Sequence, residues 1–194
     1  MSSVNKTQVP VIPIIEKKLP TTDAQKEIWL TCQIKDKEVN RVHNELVYLN
    51  LQGDLSVKIL QDSFIKLIEK HDGMRSLISV EGDYVLVFNE YTVPIRMRDI
   101  RELGVNDKDV FLKKHLEQKK PYHFNLIQGP LYVLDLIQLE DMNYLLTLTG
   151  HELMFSEKSL QLMLSELVTM YSDHISDNPI WQSKEIVICE GIHS

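Results

Sequence analysis

Only two cysteines occur in 194 residues, Cys32 and Cys189, and no Cys-x-x-Cys pair is present. That excludes a disulfide framework and a cysteine zinc site, so both read as ordinary thiols. Glycine and proline number seven each and are scattered, which leaves no low-complexity tract. No apolar run approaches the roughly 20 residues of a membrane span, and Met1-Ser2-Ser3-Val4-Asn5-Lys6 lacks the apolar stretch of a secretory leader. A cytoplasmic chain with no membrane role is expected. Runs of positive charge are missing too: 21 Lys and Arg face 28 Asp and Glu, for a net charge of −7. Nucleic-acid binding, which relies on clustered cations, is therefore not expected. There is no glycine-rich phosphate loop, nucleophile elbow or metalloprotease helix. His43, His115, His123, His174 and His193 show no metal-ligand spacing.

What is present is 43% hydrophobic and 25% charged residues, enough apolar content for one sizeable core in a single α/β domain. Residues 1–18 carry Pro10 and Pro13 among Val and Ile, which reads as an extended arm or short edge strand. A helix is predicted from Asp23 to Gln33 behind a Thr21-Thr22 cap signal, with Trp29 anchoring it in the core. Leu46–Leu51 alternates as a strand. Ile59, Leu60, Phe64, Leu67 and Ile68 then mark the apolar stripe of a helix from Ser56 to His71. Ser76–Val80 and Tyr84–Phe88 form a hairpin about Glu81-Gly82-Asp83. A polar helix near Asp107–Gln118 follows, then strands Leu131–Leu139 and Tyr144–Thr149. Leu160, Met163, Leu164, Leu167 and Tyr171 mark a last amphipathic helix. The order predicts an α/β (α+β) two-layer sandwich, a mixed sheet covered by helices.

Several short motifs resemble, in order, those of condensation domains in nonribosomal peptide synthetases. Leu19-Pro20-Thr21-Thr22-Asp23-Ala24-Gln25 through Trp29 is similar to the family's opening motif, a Pro-led turn into a helix. Lys70-His71-Asp72-Gly73-Met74-Arg75-Ser76 resembles Arg-His-Glu-x-Leu-Arg-Thr. Pro121-Tyr122-His123-Phe124-Asn125-Leu126 and Gly129-Pro130-Leu131 resemble the Pro-Phe-Asp-Leu and Gly-Pro-Leu sequences that precede the catalytic signature. His151-Glu152-Leu153-Met154-Phe155-Ser156-Glu157-Lys158-Ser159 resembles that signature, His-His-x-x-x-Asp-Gly-x-Ser. It keeps the first His as His151 and the final Ser as Ser159, but Glu152 replaces the second His, Ser156 the Asp and Glu157 the Gly.

The resemblance implies a chloramphenicol acetyltransferase-like lobe over residues 19–175, with an arm at 1–18 and a tail or inter-lobe linker at 176–194. The family's reaction is amide formation, in which the amine of one carrier-tethered substrate attacks the thioester of another. Both are borne on phosphopantetheine arms of carrier proteins, and no cofactor binds directly. The second His assists at the reacting centre, so Glu152 is the candidate catalytic position, with His151 as a structural hydrogen-bonder beside it. An anion about 4 Å from a developing oxyanion costs roughly 4 kcal/mol at an effective dielectric near 20, about a thousandfold in rate. The family's Asp holds the catalytic loop through an ion pair to the Arg that matches Arg75. With Ser156 in its place, Glu152 or Glu157 is expected to replace it, and Glu152 to turn inward onto Arg75.

A complete domain of this family has two such lobes, and the resemblance implies that this sequence spans the first. The expected role is a catalytically silent structural or docking piece of a nonribosomal peptide or mixed polyketide-peptide assembly line, partnered by carrier proteins and other modules. The alternatives are a half-enzyme completed by a separate second lobe, and a non-catalytic binding module. Leu153, Met154 and Phe155 are expected to leave apolar surface exposed, a basis for a homodimer. Lys113-Lys114 and Lys119-Lys120 read as a solvated helix face and loop, the alternative being a basic patch for an acidic carrier.

Overall fold

The computed structural model describes residues 13–34, 43–119, 122–174 and, as a strand, 184–188. Cys189, His193, Lys120, Pro121 and the beginning of the arm lie outside them. A five-stranded sheet forms the centre, in the order β5 (Arg96–Asp99), β6 (Tyr132–Glu140), β7 (Asn143–His151), β2 (Asn44–Gln52), β8 (Lys184–Ile188). Only β5 and β6 run parallel among these pairs. The sheet is mixed, as expected. Residues 184–188, within the stretch expected as a tail or linker, pair with β2 as a strand.

Alternation sorts the strands' side chains onto two faces. Leu134 and Leu136, Leu146 and Leu148, and Val47 and Leu49 join one core with α2 (Val57–Lys70) and α4 (Glu157–His174), through Phe64 and Leu67 on α2 and Leu160, Leu164 and Leu167 on α4. On the other face Ile137 and Leu145 meet Phe111, Leu112 and Leu116 of α3 (Val105–Lys119). Helix boundaries follow local chemistry. Ser56 caps α2 with its hydroxyl on the Ile59 amide, and Thr22 and Gln25 cap α1 (Asp23–Ile34) reciprocally, at 3.0 and 3.2 Å.

A second, antiparallel sheet orders β1 (Ile15–Pro20), β4 (Tyr84–Phe88) and β3 (Ser76–Ile78). Part of the N-terminal arm is thus an edge strand, its register placing Pro20 opposite Tyr84. The β3–β4 turn needs Gly82, whose φ is +77°, and a Cβ there would lie 2.4 Å from the Trp29 ring. Trp29 accordingly packs half-buried against the core. No described helix is long and apolar enough to cross a membrane.

Candidate functional site

The signature sits where β7 ends. His151 is its last residue, fully buried, and its carbonyl accepts the amides of Met154 and Phe155 at 3.0 Å each. The Leu153 amide donates to His151 Nδ1 at 3.2 Å, which places the proton of a neutral ring on Nε2. Phe124 stands edge-on to the ring. The backbone therefore folds back over the imidazole in a tight turn. Gly150 makes room for that turn, because a Cβ there would meet the Phe155 ring at 2.8 Å.

Leu153 and Phe155 are buried and Met154 is half-buried against the core. The apolar surface expected at 153–155 is therefore absent, because the turn drives two of the three side chains inward. The loop is also held from α1: Gln25, whose Oε1 caps its helix, donates Nε2 to the Leu153 carbonyl at 3.1 Å. Sequence reasoning picks out Gln25 only as part of the opening motif and misses this tie.

Glu152 faces the opposite way, 47% exposed, and its carboxylate accepts from His43 Nδ1 at 3.0 Å. The two backbones also join, Glu152 N to His43 O at 2.7 Å. A carboxylate on Nδ1 fixes the imidazole with Nδ1 protonated and Nε2 as the basic nitrogen. Cys32 lies near enough to feel Glu152: burial first, and then that anion, push its thiol above the usual range. It is a thiol at neutral pH, not a nucleophilic thiolate.

The expected pairing of Glu152 with Arg75 is not formed. Arg75 is 8% exposed, and its guanidinium binds Asp72 at 2.7 Å, Glu16 at 3.0 Å and the Phe88 carbonyl. The reason is topological. Arg75 ends the short 3-10 helix Asp72–Arg75 beneath the β1–β4 sheet, which brings Glu16 of β1 to it, while Asp72 lies one turn away. Its charge is compensated without any residue of the signature.

Ser156 and Glu157 take other work. The Ser156 hydroxyl accepts the Ser159 amide at 3.3 Å, and the Ser159 hydroxyl donates to the Ser156 carbonyl at 2.7 Å. Ser156 is thus the N-cap of α4, and Glu157, at the first helical position, suits the positive end of the helix dipole. Glu157 accepts from Gln161 Nε2 at 2.8 Å. The far end of the site is tied by His71, which closes α2 and meets Glu166 of α4 at 2.6 Å. Among the described residues no group of three His, Cys, Asp or Glu side chains could hold a metal ion.

A family model described as Condensation domain matches residues 15–185. Malpinin synthetase of Mortierella alpina is 30% identical over 156 residues, 79% of this chain and 2% of that protein. Bacitracin synthase 3 of Bacillus licheniformis is 26% identical over 159 residues, 81% of this chain and again 2% of the relative. The starter condensation domain of rhizomide synthetase RzmA, a solved structure, superposes with a TM-score of 0.74 at 18% identity, over 82% of this chain and 40% of that one. The fold is chloramphenicol acetyltransferase-like, a mixed sheet covered by helices.

Proposed function

The chain belongs to the condensation-domain family of nonribosomal peptide synthetases, and we propose that it forms the amino-terminal wall of a condensation channel without itself making amide bonds. In this reading it is a structural or docking piece between carrier proteins of an assembly line, whose phosphopantetheine arms deliver the acyl donor and the amine acceptor. A second lobe, from another segment or another chain, supplies the opposite wall. The share of the solved domain that this chain covers, 40%, agrees with one lobe of two.

The observation that carries the reading is the state of position 152. The family's imidazole there is replaced by a carboxylate already engaged with His43. Its half exposure moderates the electrostatic objection. At about 4 Å a unit charge costs roughly 4 kcal/mol at an effective dielectric near 20, but about 1 kcal/mol in bulk water. What is missing at position 152 is thus chiefly a neutral or cationic donor in the right place.

The same contact favours a second reading. Glu152 orients His43 with Nε2 as its base, the arrangement a carboxylate gives a catalytic imidazole. In that reading the lobe becomes a working half-enzyme once its counterpart is present, with His43 in place of the lost second His. Incubation with acyl-loaded and aminoacyl-loaded carrier proteins, with and without a separately produced second lobe, separates the two. Carrier binding without product supports the first reading, and product only with the partner supports the second. No carrier binding and no product would overturn both.

A further inference from the structure

The face of the sheet away from the main core carries a second concave site. The carboxyl end of α3 and the edge strand β5 enclose a cleft of about 650 Å³, lined by Arg96, Arg98, His115, Lys119, Tyr122 and Asp135 among others. Its construction follows from register. Arg96 pairs with Asp135 and Arg98 with Ile137 in the parallel β5–β6 ladder. These four residues therefore point to one side of the sheet, the side on which Ile137 packs against α3.

The floor is a buried ion pair, Lys119 Nζ to Asp135 Oδ2 at 2.6 Å, with side chains only 9% and 6% exposed. Such a pair is costly to desolvate and is neutral as a unit. Arg96 and Arg98 remain as two positive charges on the cleft, and among the described residues neither is ion-paired with a carboxylate. Arg96 is held in place, its guanidinium donating to the Tyr122 hydroxyl at 2.8 Å and lying 5.3 Å from that ring's centroid. His115 Nε2 is buried with no hydrogen-bond partner among the described residues. Burial and then Lys119 lower the His115 pKa, which keeps the ring neutral and leaves the positive excess to the arginines. A local excess of this kind stands out in a chain of net charge −7.

We propose that this cleft binds a phosphate ester, with Arg96 and Arg98 as its charge-bearing ligands over the Lys119–Asp135 floor. Two residues apart on one strand, the arginines are separated by about 6.6 Å at Cα, a spacing from which two guanidinium forks converge on one tetrahedral anion. A carboxylate has two oxygens and satisfies one fork, whereas a phosphate presents enough acceptors for both. The volume exceeds that of a bare ion and leaves room for the esterified group. None of this depends on the condensation reading.

The test is amide chemical-shift mapping of the chain with inorganic phosphate, with glycerol 3-phosphate, and with acetate at matched ionic strength. The expected result is saturable shifts centred on β5 and the end of α3 for the two phosphates, with binding of acetate at least about tenfold weaker. The ester binding more tightly than inorganic phosphate shows that the room beside the anion is used, and equal binding would limit the site to the free ion and overturn the ester assignment. Arg98→Gln, at an exposed position, should weaken phosphate binding by about tenfold while the thermal midpoint stays unchanged. Unsaturable shifts, acetate binding as well as phosphate, or an Arg98→Gln chain that binds like the parent would overturn the site. Arg96→Gln provides a second variant with the same expectation.

Discussion

His43 and Glu152, 109 residues apart, meet at 3.0 Å between Nδ1 and Oε2 because the antiparallel register of β2 and β7 sets Asn44 opposite His151. The next residue on each strand's end is thereby carried to its partner. The signature's exchanged residue and a histidine outside every motif thus form one unit.

That unit is half-exposed, so its contribution to stability is small. Glu152→Gln should change the free energy of unfolding by less than about 1 kcal/mol, as for other partly solvated pairs. The same change should move the His43 proton from Nδ1 toward the commoner Nε2 form. Long-range proton–nitrogen spectra of the two imidazole nitrogens read this directly, and unchanged spectra would show that the carboxylate does not set the tautomer.

Arg75 behaves in the opposite manner, because its guanidinium is buried among Glu16, Asp72 and the Phe88 carbonyl. Arg75→Met leaves Glu16 without its cation and Asp72 with Lys17 alone, and should cost about 3 kcal/mol in urea unfolding. Glu16→Gln, removing the half-exposed partner, should cost much less. Losses of equal size would place the main stabilisation at Glu16.

Ser156 stands where the family has Asp, yet it works as a helix cap. Ser156→Ala should therefore lose about 1 kcal/mol, while Ser156→Asp, also a good cap, should lose almost nothing. A large loss with Asp would mean that the loop, not the helix, decides this position.

Glu166 links stability to pH. Its hydrogen bond to His71, with help from Lys70, holds its carboxyl below the ordinary carboxylate range. A depressed folded value stabilises the protein above the unfolded value, near about 4.3, and that stability is lost as pH falls through the folded value. Glu166→Gln should lower the urea midpoint at neutral pH and narrow its difference from the parent under acid. A difference that persists unchanged at low pH would contradict the linkage.

The long elements are legible in the sequence because burial leaves a period. Leu60, Phe64 and Leu67 or Leu160, Leu164 and Leu167 announce a helix face. β5 is not legible: Arg96-Met97-Arg98-Asp99 has one apolar residue, and all four are exposed on an edge. Lys119 reads as part of a solvated basic pair, but it is buried on Asp135 sixteen positions away, a contact no local pattern encodes. The motif residues stand out individually, while their pairing does not. Choosing between Arg75 and His43 as partner of Glu152 needs the strand register, and the resemblance presents Ser156 only as a lost Asp, so its work as a helix cap emerges with the structure.

Product analysis of the purified chain incubated alone with acyl-loaded and aminoacyl-loaded carrier proteins tests the central claim most directly. No amide product should form, with either Glu152 or Gln at position 152. Amide formation by the unaided parent chain, abolished in Glu152→Gln, would contradict the account.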